Sequence, residues 1–413
     1  MRLATSQKNA KQMSPRAFYL VTATFTILSV LGQVSTSIYT PFFHDLANVY
    51  NSSVGLIEKS VAIFLIAFSV SQLLSGILCD YINKQLFLLF GILVFMVGTV
   101  WIALADSESA FLIGRIVQGL GGGVGVSVSR GLSRQIFNET QLNVSLSITN
   151  IAFAVAPAIA PLLGTIIGEQ LGIPSIFYFV LLIGMAALAM LLSTASTISR
   201  HTTSISANVL GETLRLLKTC FAHIFLVGVA SGLLYGIVFC FITIAPSMVM
   251  ERHELSKTLF SVYSLFATLA FVAGSIVNIK LPNQTSLQKF RLSGLTILCL
   301  SILISMLVFL FGKNGLDIIL FFSYFTFFFV GIAMPCSVTI MLGFSGTSAG
   351  FLAALVGFFH LSGAAAGAYL VTFFGHILSM DAVQAFVLIT LGLSFGSVIA
   401  CLFLKPSTIV DTM

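Results

Sequence analysis

Arg115-Ile116-Val117-Gln118-Gly119-Leu120-Gly121-Gly122-Gly123-Val124-Gly125 lies inside a stretch, residues 109–133, whose only charged residues are Arg115 and Arg130. Glycines at this density first suggest a phosphate-cradling loop, but such a loop follows a strand, and here the chain continues apolar on both sides. On a helix, Gly119 and Gly123 share one face, as do Gly121 and Gly125, so another helix backbone can approach closely. An arginine about two turns inside a membrane span costs ~2.5–3.5 kcal/mol on insertion scales, and a charge held there is expected to face a watery cavity. The stretch therefore reads as a membrane-spanning helix with a packing face and one functional charge.

The rest of the chain extends this reading. Of its 413 residues 58% are hydrophobic and 8% charged, with a mean hydropathy of +1.08, too little polar surface for a water-soluble fold. At about 20 apolar residues per span, the length accommodates about a dozen spans and no sizeable soluble domain. Apolar windows predict spans at 17–43, 57–79, 85–105, 109–133, 142–168, 175–196, 222–248, 258–281, 291–312, 316–341, 346–374 and 382–404. The first is too long for the core of a signal peptide and lacks a small-residue cleavage pattern after it, so it is expected to remain as a span. The expected fold is an all-α membrane protein of 12 transmembrane helices in two pseudo-symmetric six-helix bundles, residues 1–196 and 222–413, joined by a cytoplasmic linker at 197–221. Within the linker, Gly211 to Lys218 reads as a short amphipathic helix lying along the membrane surface.

The formal charge of +6 does not indicate nucleic acid, because Lys and Arg are scattered singly between apolar runs. On alternate sides of the spans, 14 of them fall on one side and 4 on the other, with Arg115 inside a span. The richer side, which holds both termini and the linker, is expected to be cytoplasmic, in a multi-pass protein of the cell inner membrane. Glu58 falls on the opposite, outer side in this scheme. The six cysteines are dispersed, with no Cys-x-x-Cys and no His at ligand spacing, and read as buried thiols. No metal site or cofactor is expected. Neither an intramembrane H-E-x-x-H cluster nor a G-x-x-x-x-G-K-[ST] loop occurs, which argues against an enzyme or a nucleotide-driven pump.

Further motifs flank the arginine helix. After span two, Gly76-Ile77-Leu78-Cys79-Asp80 gives G-x-x-x-D, followed by Lys84. The glycine permits close helix approach, and the carboxylate can cap a neighbouring helix end or pair with cations. Span five carries Ala152, Ala156-Pro157 and Ala160-Pro161-Leu162-Leu163-Gly164, a stripe of small residues with two prolines that free carbonyls and bend the helix. Span one holds Ser37-Ile38-Tyr39-Thr40-Pro41, and after span eight Gly274-Ser275-Ile276-Val277-Asn278 with Lys280 repeats the Gly76 pattern in degenerate form.

In this combination the chain resembles the major facilitator superfamily, and within it the bicyclomycin-resistance type of drug:proton antiporter. That group carries R-x-x-Q-G in span four, matched by Arg115 to Gly119, and D-M-Y-L-P in span one, where Ser37 here replaces the proton-carrying acid. The resemblance implies alternating access around a substrate held near the midplane by spans one, four, five, seven, ten and eleven. Candidate substrate-binding residues are Arg115, Ser37, Tyr39, Gln118, Asn150, Tyr235 and His360, with Arg115 attracting an anionic or carbonyl-rich group or balanced by Glu58. No Asp or Glu lies well inside a predicted span, so His360, with an ordinary pKa near 6.5, is the candidate for proton coupling. Gly76, Asp80, Lys84, Gly119, Gly123, Ala156, Pro157, Ala160, Pro161 and Gly164 form the conformational motifs. The expected activity is efflux of a small drug or toxic metabolite by a monomer in the lipid bilayer, coupled to protons. The alternatives are transport of an anionic metabolite or carboxylate-rich siderophore, and a non-transporting membrane sensor.

Overall fold

A computed structural model describes residues 13–404 apart from 80, 202–208, 252–255, 282–283, 312–315, 345–348 and 379. Asp80 of the G-x-x-x-D motif thus lies outside the described residues. Among the described residues twelve long helices follow one another: α1 (Pro15–Ser37), α2 (Val54–Leu78), α3 (Lys84–Ala103), α4 (Glu108–Ile136), α5 (Glu139–Leu171), α6 (Ile173–His201), α7 (Val209–Pro246), α8 (Lys257–Ile279), α9 (Ser286–Phe311), α10 (Leu316–Gly343), α11 (Ala349–Thr372) and α12 (Ala382–Leu402). Eleven are long and apolar enough to cross a membrane as they stand. The twelfth span is α5, bent by 49° between Thr140–Pro157 and Ile159–Leu171. Pro157 and Pro161 account for the bend, since neither ring nitrogen can donate to the helix ladder.

Short polar residues ahead of the apolar runs start several of these helices. The Asn83 side chain accepts from the amides of Gln85 (3.0 Å) and Leu86 (3.3 Å), and Asn138 accepts from Gln141 (2.9 Å). Ser107, Ser256 and Asp381 cap α4, α8 and α12 in the same way, each worth ~1 kcal/mol. Lys84 is buried as the first residue of α3, with its stem against Gly131 of α4.

The two six-helix bundles repeat one packing plan. In the first, α4 packs between α2 and α3, while α1 packs on α5 and α6; in the second, α10 packs between α8 and α9, while α7 packs on α11 and α12. Glycines make the α4 contacts possible. A Cβ at Gly119 would meet the Phe64 carbonyl of α2, one at Gly123 the Phe68 carbonyl, one at Gly121 the backbone of Phe95 in α3, and one at Gly125 the Leu28 carbonyl of α1. The two faces inferred from the spacing are therefore real, and they bind three helices. Across the bundles, α2 packs on α11 and α5 on α8, with Gly76 of α2 against Ala354 of α11.

Two expectations need correction. Gly211 to Lys218 is not a separate surface helix, because α7 runs unbroken from Val209 to Pro246, and no proline or turn residue interrupts the sequence after Gly211. The first span, placed at 17–43, lies within the apolar stretch Pro15–Val49 but is not one unbroken helix: α1 ends at Ser37, a 3-10 turn follows at Thr40–Phe42 with Pro41 inside it, and a short helix covers Phe43–Val49.

Candidate functional site

The candidate residues fall into separate groups. Arg115, Gln118 and Tyr39 meet inside the first bundle, about 10 Å along α4 from its start at 1.5 Å per residue. Arg115 is 0% exposed. Its Nη1 donates to the Ser35 carbonyl (3.0 Å) and to Gln118 Oε1 (2.6 Å), and Gln118 Nε2 donates to Thr99 Oγ1 (3.0 Å). The guanidinium sits 4.7 Å from the Tyr39 ring centroid and 4.2 Å from that of Phe64. Tyr39 in turn shares a 2.6 Å hydrogen bond with Ser60 and packs edge-on against Phe43 and Phe111. The expected watery cavity is therefore not what surrounds Arg115. Residues of α1, α2, α3 and the Tyr39 segment enclose it, and two aromatic faces replace part of the lost hydration, each worth ~2 kcal/mol or more once desolvated. Arg115 Nε and Nη2 are buried with no hydrogen-bond partner among the described residues.

Ser37, the last residue of α1, is also 0% exposed, and its hydroxyl has no partner among the described residues. His360 and Tyr235 come together in the second bundle, their ring centroids 5.7 Å apart, with His360 Nε2 3.2 Å from the Ser337 hydroxyl of α10. Asn150 is exposed on α5, on the same helical face as Pro157 two turns further on. Gly164 lies against the Ile38 carbonyl, Ala160 is buried, and Ala156 is half-buried.

Pro157 and Pro161 mark a different place. They line a gap of about 10 Å³ between the bundles, room for about one water, with Thr40 on the same side and Phe241, Phe260, Ser264 and Phe327 opposite. None of the lining residues is charged. Their hydroxyls come from Thr40, Ser264 and Thr268, and Thr40 already donates to the Ser37 carbonyl at 2.9 Å.

Sequence reasoning missed the polar contacts that join the bundles at the end away from the chain termini. Glu58, five residues into α2, is 0% exposed. It accepts from the Ser247 hydroxyl at 2.7 Å, and the Thr372 hydroxyl, which donates to the Ala368 carbonyl at 2.9 Å, lies 3.5 Å from its other oxygen, so this residue of the first bundle is met by two of the second. Beside it, Lys257 of α8 pairs with Asp45 at 2.8 Å and lies 4.3 Å from the Phe42 ring, and Thr165 shares a 2.9 Å bond with Ser261. Nearer the middle, Ser362 donates to Ser69 at 3.3 Å. Spacing alone put Glu58 at the outer start of span two; α2 begins at Val54, a few residues earlier, so Glu58 lies within the helix.

Among known proteins, a family model described as Major Facilitator Superfamily matches residues 25–368. Multidrug resistance protein D of Escherichia coli K12 is 30% identical over 116 residues, 28% of this chain and 29% of that protein. A chloramphenicol resistance protein of Pseudomonas aeruginosa is 25% identical over 260 residues, 61% of this chain and 60% of its own length. The match thus spans less than a third of the first relative and three fifths of the second. A crystal structure of a D-xylose-proton symporter shares the fold at a TM-score of 0.68 and 13% identity, covering 92% of this chain and 97% of that one.

Proposed function

Since the chain belongs to the Major Facilitator Superfamily and is a multi-pass membrane transporter, we propose that it exports uncharged, largely apolar drug-like molecules by proton-coupled alternating access. The observation that carries this reading is the composition of the gap at Pro157 and Pro161, which is closed to a ligand as it stands and has to widen as the bundles part: its lining is aromatic and aliphatic with a few hydroxyls and no charge. Such a lining favours a ligand that buries apolar surface and accepts a hydrogen bond or two, and it leaves a carboxylate without a counter-charge. Arg115, the motive for an anionic substrate, does not line this gap; it is enclosed within the first bundle with Nη1 on Ser35 and Gln118 and its guanidinium over two rings.

In this reading residues 1–196 and 222–413 are the moving bundles, joined through 197–221, with the termini cytoplasmic. Asp45–Lys257, Glu58–Ser247 and Thr165–Ser261 close the outer side. The exposed Asn150 of α5 and Thr339 of α10 mark the route from the cytoplasm into the cleft, since a polar side chain facing lipid would be costly. His360 serves as a titratable group beside that route. Export requires the outer contacts to break, and the partly exposed Asp45–Lys257 pair opposes this by only ~0–1 kcal/mol.

The test is uptake into proteoliposomes under an imposed pH gradient, with a panel of neutral drugs, organic cations and organic acids. Transport of neutral compounds driven by the gradient is the expected result. Movement confined to organic acids would overturn the reading.

A further inference from the structure

We propose that Arg130 and Arg134 of α4 form a charge filter at the cytoplasmic mouth, which turns back organic cations and passes neutral molecules of the same shape.

Arg130 faces the path from that mouth to the gap. Its guanidinium lies 5.8 Å from the centroid of the Phe153 ring on α5. Phe153 shares a face of α5 with Asn150, three residues before it, and with Pro157, four residues after it. Asn150 is exposed at one end of this face, and Pro157 lines the gap at the other. A molecule that reaches Pro157 from the cytoplasm therefore passes the guanidinium. The charge of Arg130 also acts on His360 of α11, so it looks across the seam at the second bundle. Side chains lean toward the N-terminal end of their helix. For α4 that is the outer end, so Arg130 leans from the mouth toward the gap.

Arg134, one turn nearer the cytoplasm on the same face, adds a second positive charge that acts on the first. Both side chains are half-buried, and neither has an ion pair among the described residues. The acids that the span count puts on this side, Asp80, Glu139, Glu212 and Asp411, have side chains outside those residues. Arg134 lies in the last turn of α4, where the free carbonyls favour a cation. Arg130 stands six residues before the helix end at Ile136, too far in for that account. An arginine that anchors a helix among headgroups extends its stem along the lipid, whereas Arg130 turns to a ring on the neighbouring helix.

Charges of one sign between low-dielectric walls change the local concentration of a charged solute by about 10-fold or more and leave a neutral one alone. The uncharged gap disfavours cations and anions alike. Arg130 and Arg134 make the rejection one-sided, against cations, through repulsion rather than through a contact with the favoured molecule.

The proposal takes its cargo and orientation from the drug-export reading, and the test separates the two. Initial uptake is measured in inside-out membrane vesicles, where compounds meet the cytoplasmic mouth first, under a pH gradient with the potential clamped by potassium and valinomycin. Two isosteric aryl compounds are compared, one ending in a neopentyl group and the other in a trimethylammoniomethyl group. The wild type is expected to take up the neutral compound about 10-fold faster or more. Arg130→Gln with Arg134→Gln should raise uptake of the cation about 10-fold and leave that of the neutral compound within about twofold. Arg130→Lys with Arg134→Lys keeps both charges but not the planar group over Phe153, and should still exclude the cation. Should the Gln variant not fold, wild-type vesicles in about 0.5 M sodium chloride are expected to admit more of the cation and no more of the neutral compound, because salt screens both arginines. A ratio of the two rates that stays unchanged in the Gln variant, or in high salt where that variant does not fold, would overturn the filter. So would a Lys variant that admits the cation as the Gln variant does. A wild type that moves both compounds equally fast overturns the filter alone, and one that moves neither overturns the export reading and the filter with it.

Discussion

Arg115 shows how one residue can be costly and necessary at once. Its charge is fully buried, and it is tolerated because Ser35, Gln118, Tyr39 and Phe64 surround it. Arg115→Ala should therefore lower the stability of the first bundle by about 3 kcal/mol through the broken network and the cavity. Arg115→Lys should recover little of this, because an ammonium cannot stack a planar group between two rings. Thermal melting of the detergent-solubilised protein measures both, and the folded fraction is expected to bind a neutral substrate with nearly unchanged Kd. His360→Gln is expected to act differently. The amide can keep the 3.2 Å contact to Ser337 but cannot carry a proton, so stability should hold while gradient-driven transport falls. Unchanged proton flux in this variant would remove His360 from the coupling.

At the scale of the element, the fold depends on helices that approach more closely than side chains ordinarily allow. A Cβ at Gly123 would meet the backbone of Phe68 and Gln72 in α2. Gly123→Val should thus force α2 and α4 apart and cost ~3 kcal/mol or more by overpacking, read as loss of folded protein on size-exclusion chromatography. The prolines of α5 have the opposite effect. Pro157→Ala with Pro161→Ala restores two amide donors and should stiffen α5. The expected outcome is a more stable protein that transports more slowly, because the cleft these prolines line loses its shape. Much of this was legible from the sequence, since spacing at four residues and the placement of proline are local signals. The partners were not: that Gly121 serves α3 and Gly125 serves α1 depends on where those helices lie.

For the whole molecule, the decisive contacts join bundles far apart in sequence. Asp45 and Lys257 approach within 2.8 Å, so a disulfide formed between Asp45→Cys and Lys257→Cys should hold the outer end shut. Transport is expected to stop on oxidation and to return with reductant; transport that continues through the cross-linked protein would mean that this end does not open. Cysteines placed at 202–208, by the distribution of Lys and Arg, should react with impermeant reagents from the cytoplasm only.

The sequence by itself determined the class of molecule. Twelve apolar runs, a glycine-rich helix with a single arginine and a doubly broken α5 need no tertiary contact to be recognised, because lipid obliges each span to satisfy its own backbone. Only the tertiary structure decided what the polar residues inside do. It enclosed Arg115 within one bundle, set His360 beside Tyr235, left an uncharged gap at Pro157 and Pro161, and set Glu58, at the outer start of span two, in the seam between the halves. The physical reason is that a side chain's role in a membrane protein depends on which neighbours replace its water. Those neighbours, such as Ser247 for Glu58, stand nearly two hundred residues away in the chain, 189 in that case.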